Sequence, residues 1–230
     1  MKGVDLKSLQ EMAERFKELA GSSWTSSSLP RGFSDVTHEI DLKGVELLNA
    51  DSTLAPARIL FSEEKPSSLT SLDSKGKGKE ASKVEADWVA SDTDAQLMLF
   101  VPFQSMLKVH SIQLISHATR DQDEDDDDIP ARPRKIEIYS NRSHNLGFDE
   151  AEDTPATQTA ELSPQSWDPK TNMAVIETRF VKFQNVTSLV LFVVDAEGEA
   201  EKTRIDRIRI IGETGEKRVM GKLKKAEEDE

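Results

Sequence analysis

Residues Arg179 to Asp195, RFVKFQNVTSLVLFVVD, constrain the fold of this chain more than any other stretch. Apolar side chains fill both parities from Leu189 to Val194, so a strand over these residues has no face fit for water and must be covered on both sides. Only 36% of the 230 residues are hydrophobic while 32% are charged, so apolar material dense enough to bury two faces is scarce here. The rest of the chain has to be arranged around that strand.

Other short apolar runs, separated by turn signals, read as strands: Leu97 to Phe103, Leu107 to Ile115, Lys135 to Tyr139, Ala174 to Phe183, Ser188 to Val194 and Arg204 to Ile211. Pro102 cannot donate to a ladder, which predicts an edge position or a bulge. Ile208 and Ile210 alternate with Arg207 and Arg209, the pattern of a half-buried strand, and Ile205 falls out of that phase, predicting a second bulge. Many strands without helices between them predict an all-β, antiparallel sandwich.

Three stretches interrupt the strands. Ser62 to Lys83, with KPSS and KGKGKE, is expected to be a mobile insertion. Asp121 to Asp128 holds seven acids in eight positions and is expected to protrude as a loop, because its charges repel one another and demand water. Beyond Gly212 the chain has no apolar period, and Glu213 to Glu230 reads as a flexible charged tail. At the other end, Leu6, Leu9, Met12, Ala13, Phe16 and Leu19 form one helical apolar stripe over Asp5 to Ala20, stopped by Gly21. The Ser-rich GSSWTSSSLPRG, Gly21 to Gly32, follows as a linker.

A net charge of −13 sets the surface against phosphate backbones and acidic headgroups, so neither nucleic acid nor membrane is expected as a partner. No apolar run approaches the ~20 residues that span a bilayer. With no cysteine there is no disulfide framework, thiolate metal site or redox pair. Two glycosylation sequons, at Asn141 and Asn185, read as chance matches.

No constellation of residues points to catalysis or a metal. His110 and His117 are seven apart, on opposite faces of a regular strand, and His38 and His144 fall in loops. Asp149, Glu150, Glu152 and Asp153 beside Phe148 resemble a carboxylate pair only in number; as a solvated loop pinned by Phe148 they have nothing to raise a pKa. The Asp-rich loop lacks the order that turns a backbone around calcium. Trp24, Trp88, Trp167 and Tyr139 are scattered, offering no stacking platform for sugars or bases.

Three separated blocks, SDTDAQLMLFVPF from Ser91 to Phe103, YSNRSHNLGFDEAEDTPATQTAEL from Tyr139 to Leu162, and the Arg179–Asp195 strand, together resemble the PITH domain, the proteasome-interacting module of thioredoxin-like proteins. The resemblance covers Leu29 to Gly212. It implies a jelly-roll of the galactose-binding-like kind over residues 29–212, preceded by a helix and linker over 1–28 and followed by the tail, 213–230. GVDLKSLQEMAERF is similar to the closing helix of a thioredoxin domain. The chain is therefore expected to be the C-terminal part of a longer thioredoxin-like protein, the alternative being a natural short form that keeps one helix.

What the resemblance further implies is a non-enzymatic binding module that docks on the regulatory particle of the proteasome, in the cytoplasm or also the nucleus, and carries a redox domain there. Family tails share in that contact, which nominates Lys217, Arg218, Lys222, Lys224, Lys225, Glu227, Glu228, Asp229 and Glu230 as partner-binding residues. No cofactor or metal is expected, and the protein is expected to be a monomer. The rival reading is a jelly-roll that binds a small carbohydrate-type ligand, against which the scarce aromatics count. Lacking a thiolate, the chain alone is expected to leave insulin disulfides intact with dithiothreitol as donor; turnover above the reagent blank in a pure sample contradicts this.

Overall fold

The computed structural model describes Leu29 and residues 31–69, 86–117, 129–198 and 200–215. The stripe over Asp5 to Ala20, most of the Ser-rich linker, the acid-rich stretch Asp121 to Asp128 and the nine nominated tail residues lie outside the described residues.

The organising element is one very long strand, β4, Leu97–Ile115. It unites the two runs predicted separately. Along its first part it pairs antiparallel with β8, Val186–Ala196, and with the short β2, Glu46–Leu48. Along its second part it pairs with β10, Arg207–Thr214, and β7, Met173–Glu177. Between Pro102 and Leu107 the register against β8 shifts, so Pro102 marks a bulge in a central strand and not an edge. β5, Pro133–Ser140, and β6, Gln158–Glu161, extend the β8 side, and β1, Ser34–Asp35, closes the β10 side.

Side chains from both parts of β4 meet in one core. Leu97, Leu99 and Val101 share it with Leu189, Leu191 and Val193 of β8, while Ile112 and Leu114 share it with Ile208 and Ile210 of β10 and Ile176 of β7. The strand thus folds the sheet over onto itself, giving the antiparallel jelly-roll sandwich that the sequence predicts. A short pair, β3 (Val89–Ala90) with β9 (Arg204–Ile205), lies outside the main sheet. Ile205 falls out of phase because it belongs to β9, which ends before Asp206, and β10 begins only at Arg207.

The strand with two apolar faces is covered twice. Leu189, Leu191 and Val193 point into the main core; Val190 and Phe192 enter a second cluster with Met98, Phe100, Tyr139 and Leu146. The lid of that second cluster is α1, Phe148–Asp153, whose Ala151 is buried. Phe148 meets the Phe192 ring edge to face at 5.8 Å. Its acids, Asp149, Glu150, Glu152 and Asp153, stand exposed on a short helix where the sequence suggested a loop. Tyr139 is buried, its hydroxyl donating to Glu137 and the Ala151 carbonyl, and burial together with the Glu137 carboxylate pushes its phenol well above the ordinary value.

Two further expectations are corrected. Ala174 to Phe183 is not one strand: β7 stops at Glu177, and Phe180–Phe183 winds into a 3₁₀ turn. Apolarity alone does not separate a strand from a turn that sends Phe183 into the core and leaves Val181 outside. Nor is β10 half-buried, since Arg207 and Arg209 are 1% and 3% exposed. The first residues of the insertion cover that face, with Leu69 packed on Ile115 and Met173. Leu191→Ala and Phe192→Ala are each expected to lower stability by ~2–5 kcal/mol, against no more than ~0.5 kcal/mol for Val181→Ser. Urea unfolding of the three variants checks this; equal losses contradict the assignment of core and surface.

Candidate functional site

Burying two arginines of β10 needs partners, because an unpaired charge in a core costs several kcal/mol or more. Arg207 donates to the carbonyls of Glu64, Asp87 and Asp206 and to the Asp87 carboxylate at 3.0 Å. Arg209 donates to the carbonyls of Phe61 and Ser62 and approaches Asp35 at 3.7 Å; burial holds its guanidinium below the ordinary value. These bonds strap residues 61–64 across the sheet.

A second knot forms where β9 meets β10. Asp206, wholly buried, accepts two hydrogen bonds from Arg204, one from the Ser68 hydroxyl and one from the His117 backbone N–H. Arg204 also lies 4.2 Å from the centre of the Trp88 ring, a cation–π contact. Arg132 stacks on Trp167 at 5.0 Å and donates to the Ser116 carbonyl and the Asn172 amide oxygen. Asn172 in turn faces His117 Nδ1 at 3.2 Å. Burial lowers the His117 pKa, Arg204 and Arg132 add to this, and Asp206 opposes them. At Asp87, burial pushes the carboxyl up, but hydrogen bonds from Ser67 and Arg207 outweigh it and the net shift is downward.

The charge in this cluster is already paired. Every carboxylate in it is engaged by Arg or Ser, and among the described residues no group of three or more His, Asp or Glu could hold a metal ion. The histidines do not converge. His117 lies past the end of β4, and the register between β4 and β10 shifts at His110, so the two do not sit on one regular strand as their spacing suggested. His38 sits in the 3₁₀ turn Thr37–Glu39 beside Glu39, and His144 stays in a loop bonded to the Asn145 carbonyl.

Open surface is found elsewhere. A shallow depression of about 700 Å³ beside β5 and β6 is lined by Arg134, Lys135, Glu161, Leu162, Asp195 and Glu197 among others, with no aromatic ring. Arg134 and Asp195 pair across it at 2.5 Å. A neighbouring depression of about 450 Å³ beside α1 includes Phe192, which is 4% exposed and so presents no ring face. At another place the two ends of the domain come together: β1 pairs with β10 through Ser34 and Gly212, and the Gly215 N–H bonds the Met106 carbonyl. The approach of β10 to β4 there is close enough that a Cβ at Gly212 would stand 2.2 Å from the Lys108 carbonyl oxygen. The segment entering the sandwich and the one leaving it therefore start from one corner.

The ionic knot was not legible as such in the sequence; its one signal is the density of Arg204, Asp206, Arg207 and Arg209 inside an otherwise apolar run. Because the folded protein holds His117 below its ordinary 6.5, the unfolded chain takes up that proton first as the pH falls. Stability is then expected to decline as pH drops through about 6.5 toward the folded value. The Asp87 contribution is lost only at pH below 3.8. Urea midpoints at pH 7.5 and 5.5 are expected to differ less for His117→Gln than for the wild type; equal slopes contradict this. Asp206→Ala, which strands a buried Arg204, is expected to cost ~3–5 kcal/mol in the same assay.

Comparison with known proteins adds what geometry alone does not. The model of the PITH domain matches residues 26–229. Thioredoxin-like protein 1 of Schizosaccharomyces pombe is 37% identical over 142 residues, 62% of this chain and 46% of that protein, so the chain spans less than half the length of this relative. Among solved structures, the fucolectin from striped bass (Morone saxatilis) serum overlaps with a TM-score of 0.49 at 11% identity, over 80% of this chain and 50% of that one. The family 32 CBM from C. perfringens NanJ, in complex with galactose, overlaps at 0.44 and 8%, over 78% and 98%. These last two overlaps are too loose to bear on function. The family match takes in nearly the whole chain, and the chain belongs to the PITH domain family.

Proposed function

We propose that the chain is a non-enzymatic docking module that binds the regulatory particle of the proteasome and, within a longer thioredoxin-like protein, delivers a redox domain to it. The observation that carries this reading is the PITH match across residues 26–229, joined by the likeness to a thioredoxin-like protein. The physical character of the fold agrees with it. Buried charges are spent on holding segments in place, and a rigid sandwich leaves its loops and corner as contact surface. The site of action is then the cytoplasm, or the nucleus as well.

Residues Lys217 to Glu230 are proposed to add to the contact, since a tail tethered to a docked domain finds a neighbouring site at high effective concentration. β10 runs to Thr214, so a truncation that spares the fold begins after Gly215. The carbohydrate reading has one structural support, the open depression beside Arg134, but the absence of an aromatic from its lining leaves no ring for a sugar to stack on.

Removing residues 216–230 is expected to weaken capture of purified proteasomes without shifting the urea midpoint, and added salt to weaken it further if charge steers the encounter. If purified proteasomes ignore the intact chain at low and moderate salt while a glycan array responds, the docking reading fails and the small-ligand reading replaces it.

A further inference from the structure

The 3₁₀ turn Phe180–Phe183 is divided against itself. Phe183 is fully buried and anchors the turn, yet Phe180 is 38% exposed and Val181 85% exposed. Nothing in the sandwich requires an apolar residue at Val181. Across β4 from it, Phe33 lies on His110 with ring centres 4.2 Å apart and meets Phe180 edge on at 6.1 Å. The Nδ1 atom of His110 is shut away from solvent without a hydrogen-bond partner. Further along the same strand, in the irregular stretch beside this corner, Met106 is half exposed.

Three elements that are distant in sequence thus place apolar side chains at the corner from which both ends of the domain depart. The charges on the turn run against the chain's net −13: Arg179 and Lys182 flank Phe180 and Val181 and both are exposed, with Glu177 the acid that precedes them. On the Phe33 and Met106 side Glu213 pairs with Lys108 at 3.1 Å and Glu39 accepts from the Ser105 hydroxyl, so the unpaired positive charge lies along the turn, and an apolar surface with cations on that edge favours an apolar partner that bears carboxylates there. The tail leaves from Gly215, which is bonded to Met106, so one partner can take the corner and the tail together.

We propose that Phe33, Met106, Phe180 and Val181 form a docking surface for an apolar segment flanked by carboxylates on the regulatory particle. This rests on the docking function above and locates it. The surface binds through desolvation of Val181 and Phe180, and Arg179 and Lys182 supply orientation and rate.

The test compares the full chain with Val181→Asp, the double variant Arg179→Glu with Lys182→Glu, and the matched control Leu48→Asp on β2, measuring affinity for purified regulatory particles. Val181→Asp is expected to weaken binding tenfold or more with an unchanged urea midpoint. The charge reversal is expected to weaken binding several-fold and flatten its salt dependence, and Leu48→Asp to bind as the wild type does. Wild-type binding that Val181→Asp leaves untouched overturns the surface while the docking function stands. Binding strengthened by the charge reversal overturns the acidic partner. No wild-type binding at all overturns both. Two other occupants would also overturn the proposal: a second copy, seen as a dimer in ultracentrifugation that Val181→Asp dissolves, or the chain's own residues 1–28, seen as new protease cuts there in Val181→Asp.

Discussion

Everything in this fold hangs on hydrogen bonding along one strand. Because β4 runs from Leu97 to Ile115, it joins two halves of one sheet, pairing with β8 and β2 by its first part and with β10 and β7 by its second. A strand of this length could not serve both while staying flat. The shift between Pro102 and Leu107, where Pro102 has no N–H to give, and the second shift opposite Ile211 and Gly212 let it change direction with its inward face kept apolar. Two-sided burial of β8 follows, since that strand lies between the core shared by the folded halves and the cluster under α1.

The second constraint is the fate of charge. Arg204, Asp206, Arg207 and Arg209 are all buried; Arg204 pairs with Asp206, while Asp206, Arg207 and Arg209 also take partners far off in sequence, from Asp35, residues 61–68 and Asp87. Such ion pairs add little net stability compared with apolar packing, but breaking one is costly, so they fix which segment lies where. That matters for a module whose loops are its working surface. Residues 61–69 would otherwise be the start of a long insertion with little to hold it; strapped by Arg207 and Arg209, they become part of the frame.

The fold was legible where burial and period agree. Leu189 to Val193, apolar in both parities, are buried on both faces with Val194 half-buried at their end, and the alternating runs around them form the antiparallel sandwich. Reading failed where a side chain's environment is set by distant residues. Arg207 and Arg209 alternate with Ile208 and Ile210 as a solvent-facing row would, and residues distant in sequence, among them Asp35, Phe61, Ser62, Glu64 and Asp87, make them interior. Phe180 and Val181 read as the end of a strand because a 3₁₀ turn has no two-residue period to betray it. The apolar corner was invisible for the same reason: Phe33, His110 and Phe180 meet only once β4 has folded the sheet over.

The most direct measurement is amide hydrogen exchange of the full chain alone and with purified proteasome regulatory particle. Slowed exchange in residues 31–33, 106–110 and 178–182 and in the tail, 217–230, with α1 and the depression beside Arg134 unchanged, is the result a rigid sandwich docking by its corner predicts. Exchange that is unaltered throughout, or slowed instead around Arg134, Glu161 and Asp195, contradicts it.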